Sequence, residues 1–287
     1  MSEKPIDETT GIETTGHTWD GIKELNNPLP RWWVWTFYLT IIWGVGYTIA
    51  YPAWPMISGA TSGFLGYSTR AEVAADIEAH EAKNADLVAE LVAADLATLD
   101  PQSDLHRYGV ARGNAVFKAQ CSQCHGSGAA GAVGYPNLLD NDWLWGGSMD
   151  EIAYSIRHGI RNETDDDAHY SEMPAFNEIL EPEQIEAVVE HVVSLSASEF
   201  DADLAAAGAE VYAENCASCH GDEAKGDREQ GAPNLADAIW LYGGDRESLT
   251  YTVENARFGV MPAWGQRLSD ADVRAVSVYV HSLGGGE

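Results

Sequence analysis

The hydrophobic and polar positions divide the chain into an uncharged stretch near its start and a longer part with helical periodicity. Residues 32–57 carry no charge over 26 positions, and a helix needs only ~20 residues to cross a bilayer. Aromatic residues stand at both ends of the stretch, as they do at membrane surfaces: Trp32, Trp33, Trp35, Tyr51 and Trp54. The pattern predicts one uncleaved transmembrane helix over 32–57. A buried core helix fits its length less well, and a cleaved signal peptide fits neither its length nor the polar residues before it.

The next stretch, residues 58–107, has the pattern of a solvated linker helix. It is rich in alanine, and its leucine and valine pairs stand four residues apart, as in Leu87 and Leu91. The turn-rich residues 16–31, judged on composition alone, resemble a disordered tail. The chain therefore divides into an N-terminal segment 1–31, a span 32–57 and a linker 58–107.

The rest of the chain repeats itself. Residues 113–125 recur at an offset of 95, the Pro-Asn-Leu and Trp-Leu-Trp-Gly-Gly motifs at about 97, and Met-Pro-Ala at 88. Each repeat contains three helical patterns, and the last has an apolar stripe with helical spacing. No strand pattern is evident. We therefore predict an all-α fold with two tandem domains, residues 108–199 and 200–287.

Composition excludes several classes of protein. The 287 residues include 16 basic and 45 acidic ones, for a net charge of −29, and a nucleic-acid-binding protein needs a basic face instead. A hydrophobic fraction of 45% excludes a disordered polyelectrolyte. Four cysteines in two pairs exclude a disulfide-dense scaffold.

Both cysteine pairs belong to the motif C-x-x-C-H, which attaches c-type haem. Cys121, Cys124 and His125 form the first motif, and Cys216, Cys219 and His220 form the second. Two thiols three residues apart can bond the two vinyl groups of one porphyrin, and the next histidine then lies under the iron. A zinc site usually needs four ligands and a redox dithiol needs a βαβ setting; neither explains two copies. We predict two covalently bound haem c groups.

The sixth iron ligand is predicted to be a methionine in each repeat. Met173 and Met261 both precede a proline in a loop before the last helix, and thioether ligation raises the potential of haem iron. In chain order Met173 would face the first iron and Met261 the second. His158 and His169 are rival ligands for the first iron, and a core-filling role for the methionines is the alternative.

Further residues are candidates for supporting roles. The carbonyls of Pro136 and Pro233 are expected to accept a hydrogen bond from each proximal imidazole. Trp143 and Trp240 either reach a haem propionate or only pack. The loop 162–169, with three aspartates, is a solvated loop or a docking patch for a basic partner.

The N-terminal stretch GHTWDGIKELNNPLPRWWVWTFY, the YPAWP motif and two class I-like cytochrome c units together resemble the dihaem subunit of cbb3-type cytochrome c oxidase, the CcoP/FixP family. The resemblance covers nearly the whole chain and implies that residues 16–31 contact a complex. It implies covalent haem on all four cysteines, His125 and His220 as proximal ligands, and Met173 and Met261 as distal ones.

The resemblance also implies a function and a location. The chain would lie in a bacterial inner membrane with a cytoplasmic N-terminus and periplasmic haem domains. It would pass single electrons from a soluble or membrane-bound cytochrome c donor to a monohaem cytochrome c subunit and a haem–copper catalytic subunit. There oxygen is reduced and protons are pumped; this chain itself would lack the oxygen-reducing site. Alternatives are an electron-feeding subunit of another reductase, such as one for nitric oxide, a dihaem peroxidase, and a haem-based gas sensor or assembly factor.

Overall fold

A computed structural model describes residues 5–287 of the chain. About half of these residues are helical and few are in strands, so the fold is mainly α-helical, as expected. They divide into two compact units, one ending at Lys83 and one covering residues 84–287. Residues 1–4 of the predicted N-terminal segment 1–31 lie outside the described part. Within the described part, the strands form two short antiparallel hairpins.

The first hairpin occupies the stretch that composition predicted to be disordered. Strands β1 (Thr14–Trp19) and β2 (Ile22–Leu25) pair antiparallel around Asp20 and Gly21. Both turn residues have positive φ, 48° and 84°, which matches the right-handed twist of a tight hairpin. The prediction of a disordered tail is therefore wrong for this stretch.

Helix α1 (Arg31–Ala50) is the candidate membrane span. Its 20 residues have a mean hydropathy of 1.2 and none is buried within the protein. The helix ends seven residues before the predicted boundary at Ile57, because Tyr51 is extended ahead of Pro52, and a proline disfavours helical backbone in the residue before it. A second hairpin follows, formed by β3 (Pro55–Met56) and β4 (Gly59–Ala60).

The linker helix α2 (Thr69–Ala93) is not solvated along its whole length. Leu91, near its end, is fully buried and packs with Leu105 and Ala275. Arg274 donates from Nε to the carbonyl of Leu91 at 2.7 Å and from its guanidinium to the carbonyl of Ala94. The C-terminal turn of α2 is therefore part of the folded unit 84–287.

Eight more helices complete this unit. In chain order they are α3 (Asp104–Val116), α4 (Ser122–His125), α5 (Met149–His158), α6 (Pro182–Ser196), α7 (Ala202–Asn215), α8 (Ala217–His220), α9 (Arg246–Asn255) and α10 (Asp270–His281). Helix α9 begins after its cap Asp245, whose side chain accepts from the Ser248 amide. Short 3₁₀ turns lie at Phe176–Glu178 and Trp264–Gln266.

The last helix of each sequence repeat packs against the other repeat. Helix α10 packs on α3 and α5, and helix α6 packs on α7 and α9. We call α3, α5 and α10 the first bundle, and α7, α9 and α6 the second bundle. The first core contains Phe117, Met149, Ile152, Val273, Val276 and Val280. The second core contains Ile185, Val188, Val192, Tyr212 and Leu249. The two domains are tandem in sequence, but their closing helices are exchanged in space.

Equivalent glycines mark the two helix crossings. A Cβ on Gly113 of α3 would lie 2.1 Å from the Ala275 carbonyl oxygen of α10, and one on Gly208 of α7 would lie 1.9 Å from that of Ala187 on α6. Gly113 and Gly208 are related by the offset of 95, and Ala187 and Ala275 by the offset of 88. The crossing of α3 with α10 and the crossing of α7 with α6 therefore have the same close backbone contact. In each crossing the second helix comes from the other sequence repeat.

One pair of equivalent positions differs between the bundles. In the second bundle, the Glu190 carboxylate of α6 accepts two hydrogen bonds from Arg246 of α9, both at 2.7 Å, and Glu190 is only 5% exposed. The equivalent positions in the first bundle hold Met149 and Val278, both buried in its core. With unexchanged helices, Glu190 would enter the core that contains Met149, a costly burial of an unpaired charge.

Candidate haem-binding sites

The first C-x-x-C-H motif lies on one continuous helical run. Cys121 ends a π-helical turn that extends α3, and Cys124 and His125 form the end of α4. Cys121 is half-buried and Cys124 is exposed. The run ends at Gly126, whose φ of 77° reverses the chain after the histidine. Both thiols and the imidazole are therefore held on a single turn.

The second motif repeats this arrangement. Cys216 caps α7, and Cys219 and His220 lie in α8, which ends at Gly221 with the same φ of 77°. Cys216 is half-buried and Cys219 is exposed, as in the first motif. The Tyr212 hydroxyl donates to the Gly221 carbonyl at 2.7 Å. Sequence and local geometry thus agree that the two sites are of one kind.

Each motif histidine is oriented by a proline carbonyl, as the sequence predicted. Nδ1 of His125 donates to the Pro136 carbonyl at 3.1 Å, and Nδ1 of His220 donates to the Pro233 carbonyl at 2.9 Å. Since a carbonyl only accepts, the proton is on Nδ1 and Nε2 keeps its lone pair for a metal. Burial lowers the pKa of both imidazoles, which favours the neutral form that binds iron.

The first cysteine of each motif is half-buried, and its thiol is in an unreactive environment. Burial raises the pKa of Cys121 and of Cys216 to about 11. A redox dithiol needs a lowered thiol pKa so that thiolate is present at neutral pH. The two cysteine pairs therefore fit covalent attachment of haem through thioether bonds better than they fit disulfide exchange.

Met261 lies in the first bundle. It exchanges two backbone hydrogen bonds with Ile160, both at 3.0 Å, directly after α5. A Cβ on Gly159 would lie 2.4 Å from the Met261 carbonyl oxygen, so only glycine permits this approach. Met261 packs against the same core as Cys121. The methionine of the second repeat thus accompanies the haem motif of the first.

Met173 accompanies the second bundle. It lies three residues before the turn Phe176–Glu178, and this turn packs against α9 and α6. The order of the motifs along the chain placed Met173 with His125. The structure instead brings the Met173 loop to the bundle that contains His220, because the closing helix and the loop before it are exchanged together.

The two rival histidines have other partners. Nδ1 of His158 is 3.2 Å from a carboxylate oxygen of Asp165, in a pair about four-fifths buried. The His169 ring stacks on Trp145 with centroids 4.3 Å apart and a 13° angle between the planes. The Asp165 carboxylate is therefore not exposed on a solvated loop, because its contact with His158 holds the loop against the end of α5.

The two repeated tryptophans are packed in both bundles. Trp143 donates from its indole nitrogen to the Gly285 carbonyl near the C-terminus, so this group is already used within the protein. Trp240 packs against the core of the second bundle. The hydrogen bond to Gly285 favours the packing role for Trp143.

Contacts between the bundles involve a pair of aromatic residues that sequence analysis did not single out. The Trp145 ring lies against Gly231, where a Cβ would come within 2.1 Å, and the Tyr242 ring lies against Gly134 at 3.3 Å. Trp145 and Tyr242 are equivalent in the repeat, and so are the two glycines. Each glycine stands two residues before the proline whose carbonyl accepts from the motif histidine. Both aromatic residues and both glycines recur at the offset of 97, and this recurrence could have identified them from the sequence.

Comparisons with known proteins identify the family of the chain. Three family models match: the N-terminal domain of cytochrome oxidase-cbb3, FixP, over residues 11–58; cytochrome c over 110–196; and cytochrome c oxidase, cbb3-type, subunit III, over 203–280. The chain is 57% identical to the cbb3-type cytochrome c oxidase subunit CcoP of Cereibacter sphaeroides, with all of both chains covered. It is 52% identical to the FixP subunit of Sinorhizobium medicae, over 99% of this chain and 98% of that one. The chain therefore belongs to the CcoP/FixP family of cbb3-type cytochrome c oxidase subunits.

Proposed function

We propose that this chain carries single electrons, through two covalent haem c groups, from a cytochrome donor to the catalytic subunit of a cbb3-type oxidase. The observation that carries the proposal is the pair of C-x-x-C-H turns, each with its histidine fixed by a proline carbonyl at about 3 Å. Haem c, when bound, supplies reversible one-electron reduction of iron. The residues of the chain attach, ligate and orient it.

The ligand sets follow from the exchanged helices. We assign Cys121, Cys124, His125 and Met261 to the first haem, since Cys121 and Met261 pack against one core. We assign Cys216, Cys219, His220 and Met173 to the second haem. With histidine and methionine on both irons, neither iron keeps a position for oxygen, so oxygen reduction belongs to another subunit.

The membrane arrangement is part of the same proposal. Helix α1 anchors the chain in the inner membrane with its N-terminus in the cytoplasm and both haem bundles in the periplasm. Residues 11–58, which match the family's N-terminal domain, contact the catalytic subunit. A monohaem cytochrome c subunit is the other partner, and the net charge of −29 attracts a basic donor cytochrome.

Co-purification tests the function. The chain carries a tag after Glu287, membranes are solubilised gently, and the isolated material is analysed for haem types, copper and oxygen uptake. We expect b-type haem, copper and cyanide-sensitive oxygen consumption to accompany two c haems. Isolation with the subunits of a different reductase would refute the proposal.

Variants that keep a single haem test the ligand sets. In the full chain with Cys121→Ser and Cys124→Ser, only the second haem remains. We then expect Met173→Leu to abolish the red absorption band of thioether-ligated ferric haem and Met261→Leu to retain it. The opposite result would assign the methionines in chain order.

A further inference from the structure

One arginine joins the two loops that carry the proposed methionine ligands. Arg161 is the third residue after the end of α5 and has a φ of 52°. Its Nε donates to the Gly259 carbonyl at 2.7 Å, and its terminal nitrogen donates to the Ser171 carbonyl at 2.9 Å. Both bonds involve backbone atoms, so they hold the path of each loop rather than a side chain.

The two carbonyls are equivalent in the repeat. Ser171 stands two residues before Met173, and Gly259 stands two residues before Met261, so both lie at the offset of 88. The main chain next to Arg161 is tied to the same region, because its amide donates to the His169 carbonyl at 2.7 Å and Ile160 pairs with Met261. A single guanidinium thus contacts the same point of both ligand loops.

Only one repeat supplies this side chain. At the offset of 97, the position equivalent to Arg161 is Phe258, and its ring lies under the guanidinium, 5.8 Å from centroid to Cζ. Arg161 is half-buried, and among residues 5–287 no carboxylate forms an ion pair with it. Its positive charge therefore has no close ion-pair partner there, although the Glu172 carboxylate beside Met173 acts on it through space: burial lowers the pKa of Arg161, and Glu172 opposes this shift.

We propose that Arg161 is a positioning residue that couples the methionine ligation of the two haem irons. Its hydrogen bonds to the Ser171 and Gly259 carbonyls fix the positions of both methionine loops. Its positive charge favours the reduced state of both haem irons. The proposal rests on the ligand sets assigned above. It implies that disturbing one side chain, outside both C-x-x-C-H motifs, changes both haems together.

Three variants of the full chain test the coupling. Arg161→Gln removes the charge and the forked pair of donors, and Arg161→Lys keeps the charge but cannot bridge two carbonyls with a planar fork. Arg107→Gln is the matched control, since it removes one positive charge from an exposed position on α3. Each variant is titrated spectroelectrochemically, and its thioether–iron band is recorded in the ferric state.

For Arg161→Gln we expect both haems to become harder to reduce, by up to about tenfold in the equilibrium constant, which is 59 mV for one electron. Both thioether bands should weaken. Arg161→Lys should keep potentials near those of the original protein while the bands still weaken, and Arg107→Gln should change neither.

Two results would overturn the coupling: Arg161→Gln leaving both potentials unchanged, or only one haem responding. If Arg161→Gln binds haem poorly, the thioether–iron bands of Arg161→Lys are the deciding measurement. Bands of full strength from both haems in that variant would refute the role of Arg161 in bridging the two methionine loops. A parent chain without any thioether band would refute the ligand sets themselves, before any variant is made.

Discussion

Replacing the Glu190–Arg246 pair with the residues found in the first bundle tests the exchange of helices. The pair joins α6 of one repeat to α9 of the other, and the equivalent positions hold Val278 and Met149. The variants are Glu190→Val, Arg246→Met and the double variant. If α6 packs on α9, the two single changes must be coupled, because each leaves the other residue without its partner.

The burial of Glu190 determines the sizes of the effects. Its side chain is 7% exposed, whereas that of Arg246 is 55% exposed. In Arg246→Met the Glu190 carboxylate keeps the hydrogen bond from the Asp201 amide, 2.7 Å away, but loses its charged partner. An unpaired carboxylate this buried costs about 3 kcal/mol. In Glu190→Val the arginine turns to water, and the lost charged hydrogen bonds cost about 1–2 kcal/mol.

The double variant should recover most of this loss. A buried ion pair replaced by apolar residues of similar volume is often neutral in stability, so we expect the double variant within about 1 kcal/mol of the original. The coupling energy is then about 3–5 kcal/mol. Each kcal/mol shifts the melting temperature of a unit this size by roughly 2–4 °C.

Thermal unfolding of the full chain with both haems attached, followed by circular dichroism and haem absorption, measures these shifts. The control is Arg107→Met, which breaks an exposed pair with Asp104 on α3 and should change stability by less than about 0.5 kcal/mol. Additive effects of the two single changes would mean that Glu190 and Arg246 do not interact, and the exchange of α6 and α10 would be refuted.

Three more predictions follow from the same structure. Arg246 holds the pKa of Glu190 at about 2, below the unfolded value of 4.5. The ionised Glu190 therefore contributes its full stabilisation above pH 4.5 and loses it as the pH falls toward 2. The free energy of unfolding measured against pH should show this loss, and the loss should be smaller in Arg246→Met. Gly208→Ala should destabilise by about 1–3 kcal/mol or more because its Cβ meets a carbonyl at 1.9 Å, whereas Gly128→Ala, with no atom within 4 Å, should not; equal melting temperatures would contradict the close crossing. Electron transfer from a basic soluble cytochrome should slow with rising ionic strength because of the acidic surface, and a rate independent of salt would count against electrostatic docking.

Local features of the site were predictable from the sequence. The C-x-x-C-H motif needs only one helical turn, so the positions of Cys121, Cys124 and His125 relative to one another follow from the spacing. The same holds for the proximal hydrogen bond, since Pro136 follows its motif at a short distance. The helices were also predictable, because their caps and apolar stripes are local. The hairpin of β1 and β2, which depends on a weak local signal, was missed.

Two haem motifs, two candidate methionines, one apolar span and the family resemblance all follow from the order of residues along the chain. The packing of helices in space shows which closing helix completes which bundle, and hence which methionine accompanies which histidine. The apolar stripes of α6 and α10 are nearly alike, so either helix could cover either core. The choice rests on contacts between distant residues, such as Glu190 with Arg246, and periodicity along a chain contains no information about such pairs until the helices are placed in space.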